Sequence, residues 1–265
     1  MEILVCVKRV PMVGGRVVVT ADGQDVDTRM SGFTVSPHEE CAVEEAVQLA
    51  EREGGSVTVL TLGPPEAADQ LRDMLALGAQ HALLLETDGR EWGPIATAAA
   101  IAGAVTRRAD SGEPPYDLLL FGNEAADTGD YQVGIRVAHA LGWPVASGIK
   151  RLTLTGGAGG GAGGGAGAAA SREYRGTQET YHLTLPAVVS VKEGINLPRY
   201  PSLPGRLRAK RAKIEVFRPE WQPEGLRKTG LRLPQETSGR AQVLGTGVDA
   251  VPALVALLDE LGVLS

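Results

Sequence analysis

Cysteine and aromatic residues are scarce in this chain of 265 residues, and their scarcity argues against several classes of protein. The two cysteines, Cys6 and Cys41, are too few and too far apart for a disulfide framework or a zinc site. Their apolar neighbours predict buried small side chains rather than nucleophiles. An aromatic content of 4% argues against the stacking platforms that bind single-stranded nucleic acid. The net charge of −6 gives no global basic field that would attract nucleic acid.

Long apolar runs and the common catalytic motifs are also missing. No apolar run approaches the roughly 20 residues of a membrane span, and no signal peptide precedes the first strand, so a cytoplasmic location is predicted. The four histidines form no constellation. No Ser-His-Asp order, His-Glu-x-x-His helix or carboxylate pair stands out, so no catalytic residue and no metal site is predicted. No Gly-x-Gly-x-x-Gly follows the first strand, which excludes the ordinary NAD fingerprint.

Buried apolar strands alternate with helices over the first half of the chain. The predicted strands are 2–8, 56–62, 81–86 and 116–121, and the predicted helices are 37–53, 66–77, 94–107 and 135–141. This alternation is typical of an α/β fold with a doubly wound, mostly parallel sheet. Its two βαβ halves resemble an adenine-nucleotide-binding fold of the alpha-hydrolase-like type more than a dinucleotide-binding one.

A polar loop that contains three glycines, residues 122–134, connects the fourth strand to the helix that follows it. Open α/β sheets bind ligands at such a position. Backbone N–H groups at the helix start and the positive end of the helix dipole suit a phosphate. An ordinary βα turn would carry the same features, so the loop alone leaves nucleotide binding and a plain connection both open.

The composition changes abruptly after residue 155. Residues 156–170 are only glycine and alanine, which predicts a flexible hairpin tip between strands at 151–154 and 180–185. A further buried strand at 185–191 is followed by a loop with three prolines, 192–204.

We therefore predict a nucleotide-binding α/β domain over residues 1–205 and a C-terminal arm over residues 206–265. The arm begins with a basic segment, 206–213, and ends in an amphipathic helix, 249–264. An arm of this length on a compact body is expected to pack on another surface.

Several of these segments together resemble the beta subunits of electron transfer flavoproteins, which include the FixA-type proteins. The motifs that carry the resemblance are Ile3-Leu-Val-Cys-Val-Lys-Arg-Val10, Ser36-Pro37, Cys41-Ala-Val-Glu-Glu-Ala46, Gly63-Pro64, Leu75-Ala-Leu-Gly-Ala79, Asp117 to Gly122, Gln132-Val-Gly134, Leu141-Gly-Trp-Pro144, Leu185-Pro-Ala-Val-Val189 and Pro198-Arg-Tyr-Pro-Ser-Leu-Pro204. They follow the family order up to about residue 216.

The resemblance implies a heterodimer whose alpha subunit carries the redox-active FAD. The beta subunit would hold AMP, or a second FAD in members that bifurcate electrons. Gln132-Val-Gly134 looks like the bifurcating subgroup, and AMP is the ligand we expect. The implied nucleotide-binding positions are Cys6, Ser36, Pro37, His38, Glu39, Leu62, Gly122, Asn123, Glu124, Ala125, Ala126, Asp127, Thr128, Gly129, Asp130, Tyr131, Gln132 and Val133.

The resemblance also implies protein partners beyond the alpha subunit. Electrons would pass from acyl-CoA-type dehydrogenases, as in fatty acid oxidation, through the partner's FAD to a quinone oxidoreductase. Leu203 falls on the leucine that anchors dehydrogenases in the family, with Arg199 in the same loop, although Leu203 packing on its own body would be the simpler role. The chain would be an electron carrier subunit without catalytic residues, and an enzyme only if it bifurcates.

Two other functions remain open at the level of sequence. One is a stand-alone adenine-nucleotide sensor of the universal-stress type, and the other is an ATP-using enzyme of the same fold. A sensor has no need of the long arm. An ATP-using enzyme would need a Gly-rich loop after the first strand, and Lys8-Arg-Val-Pro-Met12 is not one.

Overall fold

The computed structural model describes residues 1–12, 17–88, 90–156, 166–223, 225, 228–234 and 242–264. The strands are β1 (Glu2–Cys6), β2 (Val10–Pro11), β3 (Phe33–Thr34), β4 (Ser56–Gly63), β5 (His81–Glu86), β6 (Leu118–Gly122), β7 (Val145–Ile149), β8 (Arg151–Thr155), β9 (Gly167–Tyr174), β10 (Thr177–Thr184), β11 (Ala187–Val191) and β12 (Glu215–Phe217). The helices are α1 (Pro37–Glu53), α2 (Ala68–Leu77), α3 (Pro94–Asp110), α4 (Val133–Leu141), α5 (Leu203–Arg211) and α6 (Val251–Glu260). Short 3₁₀ turns lie at Pro65–Ala67 and Gly247–Ala250.

A seven-stranded parallel sheet with the order β12-β5-β4-β1-β6-β11-β7 forms the centre of the molecule. Side chains of β1 alternate between its two faces: Ile3 and Val5 belong to the core beneath α1 and α2, and Leu4 belongs to the core beneath α3 and α4. Both faces are therefore buried by helices, as parallel sheets require. The predicted doubly wound α/β fold is confirmed.

A separate antiparallel sheet, β8-β9-β10, corrects the prediction for the Gly/Ala tract. Residues 157–165 lie outside the described residues, but residues 167–170 begin β9 and pair with both β8 and β10. The predicted pairing of 151–154 directly with 180–185 is therefore wrong. The alanine side chains at the end of the tract contribute to packing, because Ala168 and Ala170 belong to the core.

The predicted boundary at residue 206 falls inside α5, which packs on α2. β12 then pairs with β5 and adds the edge strand of the central sheet. Residues 206–217 of the predicted arm thus belong to the body, and a strand of three residues was too short to recognise in the sequence. By contrast, α6 buries none of its residues. No helix in the described parts of the chain combines the length and apolarity needed to cross a membrane.

Candidate functional site

A cavity of about 330 Å³ lies at the carboxyl edge of the central sheet, beside the ends of β1 and β6. From β1 the sheet continues through β4, β5 and β12 on one side and through β6, β11 and β7 on the other. The chain therefore reverses its direction of strand addition between β1 and β6. Open α/β sheets bind ligands in the crevice at such a reversal, so this cavity is the candidate site.

Glu39 ties the end of β1 to the start of α1 at the wall of this cavity. Its Oε1 accepts a hydrogen bond from the Lys8 backbone N–H (2.8 Å), and its Oε2 accepts one from the Ser36 N–H (2.9 Å). Ser36 Oγ in turn accepts from the Glu39 N–H (3.2 Å), which completes a capping box at the start of α1. Burial raises the pKa of Glu39 to about 7, and the hydrogen bonds from Ser36 and Lys8 oppose the rise.

Gly122 ends β6 against the start of α1 and leaves no room for a side chain. A Cβ at this position would lie 2.7 Å from Glu39 Cγ and 3.4 Å from His38 Cβ. Glycine therefore permits the close approach of β6 to α1 that places the following loop at the cavity.

Hydrogen bonds within the loop 123–132 hold it closed beside the cavity. The Ala125 N–H donates to the Asp130 carbonyl (2.9 Å), and the Gly129 N–H donates to the Ala125 carbonyl (2.8 Å). Gly129 has a φ of +64°, which favours glycine in this turn. Lys8 Nζ lies 2.7 Å from Asp127 Oδ1 and so fastens the loop to the end of β1.

His38, in the first turn of α1, connects this loop to the segment that follows β11. Its Nδ1 accepts a hydrogen bond from the Glu193 N–H (2.9 Å), so Nε2 is the nitrogen that can carry a proton. Nε2 lies 3.7 Å from Glu124 Oε1, and the Glu124 carboxylate also accepts from the Tyr131 hydroxyl. The carboxylate of Glu124 is thereby placed at the cavity by two aromatic partners.

The start of α4 brings backbone N–H groups that have no partner inside the helix to the same cavity. Its N-cap, Gln132, makes no side-chain capping bond, and none of residues 133–136 is acidic. The first N–H groups of a helix have no partner inside the helix, and the helix dipole is positive there. Since Val133 and Gly134 line the cavity, this end of it suits an anionic group.

Apolar side chains from β4 and from the start of α3 supply another part of the lining: Leu60, Leu62, Trp92, Pro94 and Ile101. Trp92 carries a buried indole Nε1 without a hydrogen-bond partner among the described residues. Apolar and aromatic walls combined with a few convergent polar groups are typical of small-molecule sites. The cavity can therefore accommodate a ligand that has both an apolar ring and an anionic group.

The structure brings many of the predicted nucleotide-binding residues to this one cavity. Those in its lining are Cys6, Glu39, Leu62, Gly122, Asn123, Glu124, Ala125, Thr128, Asp130, Tyr131 and Val133. The others lie in the first turn of α1 and its cap or in the adjoining loop, outside the lining: Ser36, Pro37, His38, Ala126, Asp127, Gly129 and Gln132.

Sequence reasoning missed a further set of lining residues: Val7, Lys8, Leu60, Glu91, Trp92, Gly93, Pro94, Thr97, Ile101, Phe121 and Ser190. Six of them belong to α3 or to the three residues before it: Glu91, Trp92, Gly93, Pro94, Thr97 and Ile101. The signal available was Gly93-Pro94, which marks a helix beginning after β5 and therefore at the same edge of the sheet. Among the described residues, no group of three or more His, Cys, Asp or Glu side chains is placed to hold a metal ion.

Leu203 and Arg199 are not among the residues that line the cavity. The sequence predicted Leu203 in the proline-rich loop, but the structure places it as the first residue of α5. Ser202 Oγ caps this helix by accepting from the Gly205 N–H (3.1 Å), and Pro204 is compatible with the first turn. The Leu203 side chain is 71% exposed. The Arg199 guanidinium, in contrast, is engaged by Glu44 and Glu51 of α1.

Comparisons with known proteins show the family of this chain. Residues 26–220 match the family model described as the electron transfer flavoprotein domain. Three similar proteins are all named electron transfer flavoprotein subunit beta. The Bacillus subtilis protein is 35% identical over 185 residues, 69% of this chain and 66% of that protein. The human protein is 31% identical over 267 residues, 99% of this chain and 98% of that protein. The Mycobacterium tuberculosis protein is 33% identical over 221 residues, 82% and 78% of the two chains.

Proposed function

The chain belongs to the electron transfer flavoprotein beta-subunit family, and from this premise we propose that its cavity holds AMP within a heterodimer. The alpha subunit would be the partner and would carry the FAD. Electrons would reach that FAD from acyl-CoA-type dehydrogenases and leave it for a quinone oxidoreductase. The observation that carries the proposal is the cavity between β1 and β6, which has the start of α4 at one part of its lining.

The residues present fit a nucleotide monophosphate. The N–H groups at Val133 and Gly134 and the positive end of α4 would bind the phosphate. Leu62, Trp92 and Ile101 would enclose an adenine ring. Gly122 supports the fit, because any side chain there would collide with Glu39 and distort the wall of the cavity.

The size of the cavity favours AMP over a second FAD. Small-molecule pockets span about 300–1,000 Å³, and the 330 Å³ found here is at the lower end of that range. A dinucleotide such as FAD is larger than AMP, so it fits this volume less well. Electron bifurcation with a second FAD is therefore the secondary candidate, supported by the Gln132-Val-Gly134 sequence.

This chain contributes binding and orientation rather than redox chemistry. Its two cysteines are buried, and burial is the main cause that raises the pKa of both thiols, so neither is poised to react. Oxidation and reduction would belong to FAD when it is bound at the alpha subunit. The residues of this chain would fix the nucleotide, hold the alpha subunit and present a docking surface.

The docking surface is proposed to centre on Leu203. An exposed leucine on a capped helix start loses little conformational freedom when it enters an apolar pocket of a partner. Leu203→Ala should therefore raise the KM of an acyl-CoA-type dehydrogenase for the heterodimer by about tenfold, the effect of 1.4 kcal/mol. Its nucleotide content should stay unchanged, and a KM equal to that of the wild type would remove the docking role.

The nucleotide proposal is tested by composition. The chain is co-expressed with the alpha subunit, the complex is purified, and acid-released nucleotides are separated by chromatography and quantified. One FAD and one AMP per complex is the expected result. Two FAD and no AMP would replace the carrier with the bifurcating candidate. If neither a complex nor flavin is recovered, the electron-transfer proposal fails and the adenine-nucleotide sensor takes its place.

A further inference from the structure

The segment between β11 and α5, residues 192–202, is fastened to α1 at three points along its length. The Glu193 N–H donates to His38 Nδ1 (2.9 Å). Farther along, Asn196 Nδ2 donates to the Cys41 carbonyl and to Glu45 Oε2, both at 3.0 Å. These contacts join residues about 150 positions apart in sequence, so they hold the segment on the helix rather than shape it locally.

The third and strongest point is Arg199. Its Nε and Nη2 donate to both carboxylate oxygens of Glu44, with the shortest distance 2.9 Å. The Arg199 backbone N–H adds another bond to Glu44 Oε2 (3.1 Å). On the other edge of the guanidinium, Nη1 and Nη2 donate to the two carboxylate oxygens of Glu51, at 2.7 and 3.0 Å. Paired, parallel bonds of this kind fix orientation as well as position.

Burial makes the Glu44 contact more demanding than a surface ion pair. The Glu44 side chain is only 3% exposed, so its charge depends on the partners that Arg199 and Gln48 supply. Burial alone would raise the pKa of Glu44, but the hydrogen bonds from Arg199 and Gln48 outweigh it and leave that pKa below its usual value. Glu51 is exposed and contributes less.

The clamped segment carries large apolar side chains that face solvent on both sides of Arg199. Leu197 is 89% exposed and Tyr200 is 95% exposed, and Leu203 follows at the start of α5. An unsupported proline-rich segment would sample many conformations, and ordering it on contact with a partner would cost affinity. The contacts of Arg199 with Glu44 and Glu51 remove that cost before the partner binds.

We infer that Arg199 is a positioning residue, which holds residues 192–202 on α1 through its contact with Glu44. In this conformation Leu197, Tyr200 and Leu203 are presented to an acyl-CoA-type dehydrogenase. This inference rests on the proposed docking role of Leu203. It replaces the expectation that Arg199 itself contacts the partner, because the N–H donors on both edges of its guanidinium are already bonded to Glu44 and Glu51.

The test compares Arg199→Gln with wild type in the intact heterodimer. With an acyl-CoA-type dehydrogenase as electron donor, the KM for the heterodimer should rise about tenfold at unchanged kcat, because the loop must now be ordered on docking. Hydrogen–deuterium exchange of the amides at 193–202 should become faster. Arg199→Lys should fall between the two, since an ammonium cannot bond both oxygens of Glu44 in parallel. Arg107→Gln, which breaks the exposed pair with Glu215, is the matched control and should change neither readout.

Two further variants make the result decisive. Asn196→Ala loosens the same segment without touching the Arg199 charge, so it should speed exchange and raise KM in the same direction, and it remains usable if Arg199→Gln folds poorly. Leu203→Ala, measured in parallel, reports on the docking role itself. If Leu203→Ala raises KM while Arg199→Gln changes neither KM nor exchange, the positioning inference is overturned alone. If Leu203→Ala leaves KM unchanged, the docking role fails and the inference falls with it.

Discussion

Replacing Gly122 by alanine should damage the wall of the cavity. The new Cβ would lie 2.7 Å from Glu39 Cγ, whereas carbon atoms in contact prefer about 3.5–4.0 Å. Glu39 cannot move aside freely, because its two carboxylate oxygens are held by the Lys8 and Ser36 N–H groups. Either the end of β6 shifts or the capping box of α1 opens.

The cost can be placed within a range. Overpacking of a well-packed region costs about 1–3 kcal/mol. For a chain of this size, each kcal/mol corresponds to a fall in Tm of about 2–4 °C. Because either response displaces the cavity wall, we also expect about tenfold weaker AMP binding, equivalent to 1.4 kcal/mol. Gly103→Ala is the matched control. Among the described residues, no atom apart from its chain neighbours and the backbone of its own helix lies within 4 Å of the Cβ position, and alanine in the middle of α3 should stabilise the chain by about 0.5–1 kcal/mol.

Two assays on the purified heterodimer decide the outcome: Tm from thermal unfolding, and the Kd for AMP from calorimetry after the bound nucleotide has been removed. Gly122→Ala should lower Tm and raise Kd, while Gly103→Ala should raise Tm slightly and leave Kd alone. If Gly122→Ala matched the wild type in both assays, the close approach of β6 to α1 would not be what shapes the cavity.

Two other predictions concern the buried carboxyl group of Glu39 and the C-terminal helix α6. Because burial raises the pKa of Glu39 from 4.5 to about 7, the folded state binds its proton more tightly than the unfolded state, and the contribution of Glu39 to stability should fall as the pH rises from about 4.5 to about 7. Across that window the difference in unfolding free energy between wild type and Glu39→Gln, measured by urea titration, should change by about 3 kcal/mol, and a flat difference would contradict the assignment. Removing residues 247–265 should leave the Tm of the chain within about 2 °C of the full-length value, because α6 buries none of its residues. The same truncation should abolish co-purification with the alpha subunit. A truncated chain that still co-purified would show that the arm is not the contact with that subunit.

Most of the central sheet and the position of the cavity could be predicted from the sequence, because the signals for them are local and strong. Apolar runs such as 56–62 and 81–86 are bounded by Gly and Pro and separated by helices, which fixes parallel strands with their carboxyl ends at one edge. The loop after β6 and the Ser36-Pro37 helix start then meet at that edge. The Glu39 capping box is also readable, since serine three residues before glutamate marks a helix start.

The rest depends on tertiary partners that no local pattern announces. β9 begins with glycine and alanine, which favour no strand, and it forms because Ala168 and Ala170 pack into the core between two paired strands. β12 has only three residues and exists because the edge of β5 was available. From the sequence alone, Arg199 is expected to be an unpaired surface cation. In the fold it contacts Glu44, which lies 155 positions away along the chain.

α1 connects the two surfaces on which the proposed function depends. Its first turn, through Glu39 and His38, fixes the end of β1 and faces the loop beside the cavity, while Glu44 and Glu51, farther along the same helix, hold the docking segment. α1 is one continuous helix of 17 residues, so we expect a displacement of its first turn to reach Glu44 and Glu51. A ligand that binds only the folded cavity stabilises the folded chain by mass action, so we expect loss of AMP to loosen α1 and, through it, the segment 192–202. Faster exchange of the amides at 193–202 in the AMP-free heterodimer would show that the nucleotide helps to order the segment proposed for docking. Unchanged exchange would show that the contacts of Arg199 with Glu44 and Glu51 order this segment without the nucleotide.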